Sequence, residues 1–340
     1  PTVYKDQEEF TSGRATIEQL VEKLDGPLDA DAFADKGVYD VLVIGGGPAG
    51  NSAAIYAARK GLKTGLLAET FGGQVIETVG IENMIGTLYT EGPKLMAQVE
   101  EHTKSYDVDI IKSQLATGIE KKELIEVTLA NGAVLKSKTA ILALGAKWRN
   151  INVPGEEEFR NKGVTYCPHC DGPLFEGKNV AVIGGGNSGL EAALDLAGIT
   201  KHVTVLEFLP ELKADQVLQE RAAKTDNLTI LKNVATKEIV GQDHVTGLNY
   251  VERDTNEEKH LDLEGVFVQI GLVPSTAWLK DSGIELNERQ EIIVDKFGST
   301  NIPGIFAAGD CTDSAYKQII ISMGSGATAA IGAFDYLIRQ

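Results

Sequence analysis

Cys167-Pro168-His169-Cys170 places two of the three cysteines in the chain two residues apart. Two sulfurs at that spacing can close a disulfide across one helical turn, and a helix N-terminus or nearby positive charge stabilises the thiolate that exchange requires. A structural zinc half-site and a static bridge are the other chemistries open to such a pair. Zinc asks for four ligands at suitable spacing, whereas the remaining cysteine is Cys311 and the five histidines are scattered, so no metal site is expected. A purely structural bridge would be unusual in a chain so poor in cysteine. The neighbours must decide, and 14 residues beyond Cys170 stands Gly184, the start of a glycine-rich turn.

The elements around that turn read in order: a strand over Asn179 to Ile183, the turn Gly184-Gly185-Gly186-Asn187-Ser188-Gly189, a helix through Leu196, then a strand over Val203 to Leu206 ending at Glu207. The same grammar occurs earlier. An apolar run from Tyr39 to Ile44 meets Gly45-Gly46-Gly47-Pro48-Ala49-Gly50, a helix follows, and a strand from Thr64 to Ala68 ends at Glu69, 19 residues after Gly50. Strand, glycine turn, helix and a spaced acidic residue form a dinucleotide-binding fingerprint, so two nucleotide sites are encoded. Gly45, Gly47 and Gly50, and again Gly184, Gly186 and Gly189, keep side chains away from a pyrophosphate that the amides of the following helix attract; Asn187 and Ser188 open the second helix. A carboxylate at Glu207 accepts hydrogen bonds from ribose hydroxyls and repels a 2'-phosphate, and no arginine follows until Arg221, so NADH is expected over NADPH. Between the two fingerprints Asn131-Gly132 signals a hairpin, and Gly304-Ile305-Phe306-Ala307-Ala308-Gly309-Asp310 supplies a late third signature.

At 340 residues the chain has room for two or three domains, and a formal charge of -17 disfavours nucleic acid and anionic membrane surfaces as partners. No continuous apolar run reaches the ~18 residues of a bilayer span, and no signal-peptide pattern is present, so a cytoplasmic protein is expected. The first residue is Pro1 rather than methionine, which suggests a start inside a longer protein. Residues 1–24 read as two short extended runs and a helix that Thr16 can cap, with Ile17, Leu20, Val21 and Leu24 on one face. This piece resembles the closing hairpin and helix of a thioredoxin-like fold; an independent hairpin or docking arm is the alternative. Residues 25–37, with four aspartates, have the composition of a linker.

Gly45 to Gly50, Gly72-Gly73-Gln74, Cys167-Pro168-His169-Cys170-Asp171-Gly172 and Ala308-Gly309-Asp310-Cys311-Thr312 together resemble the low-molecular-weight thioredoxin reductase family, from about Tyr39 to the C-terminus. Within it they are most similar to the flavoprotein subunits of bacterial alkyl hydroperoxide reductases, because the basic His-Arg-Arg type segment usual in thioredoxin reductases is absent. The resemblance implies an α/β fold of two Rossmann-like, three-layer ββα-type domains. An FAD domain split into residues 38–150 and 272–340 would enclose an NADH domain, 151–271, that carries the disulfide, with crossings at Asn152-Val153-Pro154-Gly155 and Gly271-Leu272-Val273-Pro274. It implies that Glu69 binds the adenosine ribose of FAD, that Gly72, Gly73, Gln74 and Asn83 lie near the flavin, and that Gly309 and Asp310 hold the ribityl chain. Lys317 and Gln318 would start a last helix whose N-terminus faces the ring, with an ordinary solvated lysine as the alternative for Lys317.

By the same resemblance Cys170 is the sulfur next to the flavin, Cys167 the interchange thiol and Asp171 the proton-exchanging group, with a helix-start carboxylate as the alternative for Asp171. Electrons would pass from NADH through FAD to Cys167–Cys170, then to a thioredoxin-like domain and a peroxiredoxin, in a homodimer that supports peroxide detoxification. A thioredoxin reductase acting on free thioredoxin and a flavin-based redox sensor are the alternatives. Disulfide and nicotinamide site share one domain, so the insert is expected to turn about its two crossings and present each group alternately. His169 has no assigned role, Cys311 is expected to be a small buried side chain, and Trp148 and Trp278 are expected to pack.

Overall fold

The computed structural model describes residues 2–5, 8–12, 30, 33, 36–78 and 80–340. At the start, strands β1 (Thr2–Lys5) and β2 (Glu8–Ser12) pair antiparallel with Thr2 opposite Ser12. The helix expected over the residues after Thr16 lies outside the described residues, as does most of the stretch expected to be a linker. The end of that stretch is anchored. Phe33 is 6% exposed within an apolar core, and Lys36 Nζ donates to both oxygens of Asp109, at 2.8 and 3.0 Å.

From there the chain divides into two compact units, crossing at Glu77/Thr78, Thr90/Glu91, Ala146/Lys147 and Val273/Pro274. Unit 1 holds the described residues up to Glu77 together with Glu91–Ala146 and Pro274–Gln340; unit 2 holds Lys147–Val273 together with Thr78–Thr90. The two strands that make the last two crossings, β9 (Ala146–Trp148) and β18 (Leu272–Pro274), are hydrogen-bonded to each other.

Unit 1 is built on β3 (Val38–Gly46), whose apolar run alternates between faces. Val41 and Val43 pack with alanines of helices α1 (Pro48–Arg59) and α6 (Ile319–Leu337), while Leu42 and Ile44 pack with Ile119, Ile125 and Val127 on the opposite face. The latter come from the hairpin strands β6 (Ala116–Lys121) and β7 (Ile125–Leu129). Helices, parallel sheet and antiparallel strands therefore make three layers, each fully buried strand residue contributing about 1.5–3 kcal/mol. The sheet runs β5 (Val108–Lys112), β4 (Thr64–Phe71), β3, β8 (Val134–Leu142), β7, β6. Along the other edge of β8 its first half pairs antiparallel with β7 after the turn at Gly132, and its second half pairs in parallel with β19 (Ile305–Ala307).

Unit 2 repeats the plan. Its parallel sheet has the order β10 (Val164–Thr165), β17 (Gly265–Val268), β11 (Asn179–Ile183), β12 (His202–Glu207), β13 (Leu228–Lys232). Val180 and Val182 face helix α4 (Asn187–Ala197), in a core that also takes Ala222 of helix α5 (Gln216–Ala223). Ala181 and Ile183 face the antiparallel ribbon β14 (Val234–Gly241), β15 (Val245–Glu252), β16 (Glu257–Asp262). Trp148 belongs to this second core, stacked on Tyr166, and Trp278 belongs to a core of unit 1.

Helix α6 is 19 residues long with a mean hydropathy of 1.2, so by length and composition it could cross a membrane. Counting continuous apolar residues missed it because Ser322, Gly324, Ser325 and Thr328 interrupt the run. Close packing on α1 is set by Gly326, where a Cβ would lie 2.0 Å from the carbonyl oxygen of Ala49.

Candidate active site

In unit 1 the first glycine turn follows β3 and leads into α1, with Gly47 at the N-cap and Pro48 at the first helical position, where no amide is needed. Gly45 has φ 119°, and a Cβ there would meet the Ala143 carbonyl oxygen at 2.1 Å; one on Gly50 would lie 1.8 Å from the Gly45 carbonyl oxygen. These two glycines are demanded by packing. A Cβ on Gly47, by contrast, would meet only the Gly73 Cα, at 3.9 Å. The middle glycine borders open space at the helix N-terminus, the geometry that a pyrophosphate needs. Gly72 donates its backbone N–H to the Gly46 carbonyl at 2.9 Å, which holds Gly72, Gly73 and Gln74 against this turn.

Asn51 was missed by the sequence reading. It is fully buried, its Nδ2 donates to the carbonyls of Gly46 (2.7 Å) and Gly47 (3.0 Å), and Thr103 donates to its Oδ1 at 2.8 Å from helix α2 (Gly92–Lys104). Holding both carbonyls on the rear of the turn fixes which way its amides point.

The third signature meets the same turn, since a Cβ on Gly309 would lie 2.9 Å from Ala49 Cβ. Asp310 accepts from Ser322 Oγ at 2.9 Å, and burial raises its carboxyl above the usual range against the opposing pull of Ser322 and Lys317. Gln318 caps α6. Lys317 is not an ordinary solvated lysine: its ammonium pairs with Glu291 at 2.9 Å, both side chains about 15% exposed, and donates to the Thr312 carbonyl. Burial pushes Glu291 up, but Asn287 and Lys317 outweigh it and hold the carboxyl below its ordinary value. Glu69 is exposed near the end of β4. Asn83 lies in the loop 78–90, which groups with unit 2. Cys311 is fully buried, its thiol aimed at the carbonyls of Ala308 and Leu142 and pushed up to about 11, which suits a packing role.

In unit 2 the Cys167–Cys170 disulfide is closed, with Cα atoms 5.2 Å apart. Cys167 caps the four-residue helix α3 (Pro168–Asp171), just past the end of β10. Two strands along the sheet, β11 ends in the second glycine turn. At about 4.8 Å per strand, disulfide and turn lie on the order of 10 Å apart on the same carboxyl edge. Gln269, between them, ties the two together: its Nε2 donates to the Tyr166 carbonyl at 2.8 Å and its backbone N–H to Ile183 at 2.8 Å. Here too the outer glycines pack, Gly184 with φ 116° and a Cβ site 2.4 Å from the Gln269 carbonyl oxygen, Gly189 with one 1.9 Å from the Gly184 carbonyl oxygen. A Cβ on Gly186 would meet nothing within 4 Å. Asn187 and Ser188 start α4, and Asn187 accepts from the Asp215 backbone at 2.7 Å.

Asp171, half-buried, accepts a short hydrogen bond from Thr165 Oγ1. Burial raises its carboxyl above the ordinary value, and the Thr165 bond works against that shift. A carboxyl that keeps its proton to higher pH, one residue from Cys170, is suited to deliver that proton to a leaving thiolate. His169 points out of the site and pairs with Asp195 at 3.2 Å. Glu207 is 8% exposed; its oxygens accept from the backbone of Gly185 and, at 2.8 Å, of Leu209. Beyond it, Arg253 arrives from the turn after β15, lies over the Phe208 ring at 3.9 Å and donates to the Phe208 carbonyl at 2.9 Å. Sequence distance concealed that arginine. Among the described residues no group of three or more His, Cys, Asp or Glu could hold a metal ion.

Two dinucleotide cradles, one of them on the same sheet edge as a closed Cys-X-X-Cys, define the class of flavin- and nicotinamide-binding disulfide oxidoreductases. The chain belongs to the pyridine nucleotide-disulphide oxidoreductase family, whose profile matches residues 39–326. It is 66% identical over its whole length to an NADH dehydrogenase of Ferdinandcohnia aciditolerans, of which it covers 65%. It is 58% identical to the F component of the alkyl hydroperoxide reductase of Staphylococcus aureus, of which it covers 67%. The chain thus spans about two thirds of the length of these curated relatives. The thioredoxin reductase structure of Streptococcus pyogenes superposes with a TM-score of 0.84 at 36% identity, over 89% of this chain and 99% of that one. FAD and a nicotinamide dinucleotide are the cofactors of this family, and the two open glycine cradles fit them.

Proposed function

We propose that the chain is the reductase portion of a peroxide-detoxifying system, a homodimeric cytoplasmic enzyme that oxidises NADH and reduces Cys167–Cys170. The dithiol then reduces a Cys-X-X-Cys in a thioredoxin-like domain of the whole protein, and that domain reduces a peroxiredoxin. The observation that carries this reading is the closed Cys167–Cys170 bridge on the same sheet edge as the Gly184–Gly189 turn. Bound FAD supplies the two-electron exchange between nicotinamide and disulfide. Overall, NADH, one proton and the disulfide give NAD+ and two thiols.

The residues of the chain have separable tasks. Gly45, Gly47, Gly50 and the Gly72–Gln74 loop would hold FAD in unit 1, where Glu69 would serve its ribose and Asp310 and the α6 N-terminus the rest of the cofactor; Asn83 is assigned to it by resemblance alone. Gly184, Gly186, Asn187, Ser188 and Gly189 hold NADH, with Glu207 toward the ribose. Lys317 acts through Glu291 and the Thr312 carbonyl, stabilising the loop that carries Asp310. Cys170 takes the electrons, Asp171 supplies the proton, and Cys167 attacks the acceptor disulfide. The relatives named NADH dehydrogenase and alkyl hydroperoxide reductase support NADH and the peroxide branch. A Cys170→Ser variant should then trap the acceptor as a mixed disulfide on Cys167, visible on a non-reducing gel; trapping by Cys167→Ser instead would reverse the roles.

Reduction of free thioredoxin is the second reading, favoured by the near-complete overlap with a thioredoxin reductase structure. An anaerobic NADH titration tests both. Uptake of four electrons per chain, two by the cofactor and two by the disulfide, supports a disulfide reductase, and two alone would overturn it. Faster turnover with NADPH and free thioredoxin would select the second reading.

A further inference from the structure

Phe208 stands one residue beyond the ribose-facing Glu207 and remains 56% exposed although a guanidinium covers one of its faces. Three chain segments converge to hold that arrangement. Arg253 Nη1 donates to the Phe208 carbonyl (2.9 Å) and to Asn233 Oδ1 (3.0 Å). Asn233, at the turn between β13 and β14 with φ 57°, donates its backbone N–H to Leu209 at 2.9 Å, and its Nδ2 donates to Asp254 at 2.7 Å. Backbone N–H of Arg253 returns to the Asn233 carbonyl at 3.0 Å. An exposed phenylalanine needs no such scaffolding unless its open face is used, and a flat aromatic face beside a ribose site is complementary to a purine base.

We propose that the open face of Phe208 is the platform on which the adenine of the second nucleotide stacks, and that Arg253 is a positioning residue that fixes the ring rather than a clamp for a 2'-phosphate. The proposal rests on the reading that this site takes NADH. Because NADH and NADPH share their adenine, the platform binds both alike, and discrimination falls to Glu207, whose carboxylate repels the phosphate.

The test uses the FAD-loaded protein, with dissociation constants for NADH, NADPH and AMP and steady-state rates with NADH and with NMNH, which lacks adenine. Phe208→Ala should weaken NADH, NADPH and AMP alike by about tenfold, as loss of one base stack does. Phe208→Trp should restore binding, and rates with NMNH should stay unchanged in every variant. Arg253→Ala should weaken all three adenine ligands by a common, smaller factor of about threefold, leaving the NADH/NADPH ratio as it was. If Arg253→Ala weakened NADPH alone, the arginine would be a phosphate clamp. If Phe208→Ala left AMP binding unchanged, or slowed NMNH as much as NADH, the platform would be wrong while NADH oxidation by the parent protein kept the functional reading intact. A parent protein that neither binds AMP nor oxidises NADH would overturn both.

Discussion

Asp171 and Asp310 carry the same shift for the same reason and serve different ends. Both carboxyls are raised by burial, so the folded state holds their protons more tightly than the unfolded chain does. Such a group contributes stability at low pH that is lost as pH rises through its folded pKa. Asp310→Asn should therefore raise the melting temperature of the cofactor-free protein at pH 7 but not near pH 4, while weakening FAD binding; calorimetry at the two pH values reads the first effect and flavin fluorescence the second. Thr165 lowers the Asp171 carboxyl, so Thr165→Val should move the acidic species, and with it the pH profile of disulfide reduction, to higher pH. Asp171→Asn should slow that step by about 10² or more in stopped flow. Lys317→Met leaves the Glu291 carboxylate without its cation in a nearly buried place and should cost about 2 kcal/mol in denaturant unfolding. Of these residues the motif resemblance pointed to Asp171, Asp310 and Lys317. Thr165, Asn51 and Gln269 gave no signal, because nothing about a lone polar residue says which carbonyl or carboxylate the fold will set against it.

Elements were legible wherever a period or a turn expressed itself locally. Alternation in β3 and β11 and glycine at fixed offsets suffice to read strand, turn and helix, because each rests on contacts within a few residues. Within each turn the glycines divide into two kinds. Gly189→Ala would drive a Cβ against the Gly184 carbonyl and should destabilise unit 2 by about 3 kcal/mol. Gly186→Ala meets open space, so it should leave the melting temperature unchanged while raising the KM for NADH about tenfold by standing between backbone and pyrophosphate. Equal loss of stability in both variants would count against the cradle. The span-length apolar helix α6 was not legible as a run, since Ser322, Gly324, Ser325 and Thr328 interrupt it.

For the molecule as a whole, unit 2 carries both the disulfide and the second glycine turn, and strands make two of its four crossings with unit 1. If it turns about them, a covalent cross-link that fixes the two units in one pose should preserve one half-reaction, nicotinamide oxidation or disulfide reduction, and abolish steady-state turnover. Unimpaired turnover in the linked protein would exclude the motion. Phe33 and Lys36 seat the end of the acidic stretch on unit 1.

The order of elements, the two nucleotide turns and the thiol pair were determined by the sequence alone, because each is a property of neighbours along the chain. Only the tertiary structure decided which glycines border open space and which face a carbonyl, that Gln269 bridges the second glycine turn to the disulfide, and that Arg253 lies on Phe208. The last two facts depend on residues brought together across 45 to 103 positions of sequence. In such pairings side-chain identity is conditional on a partner that folding, not proximity in the chain, supplies.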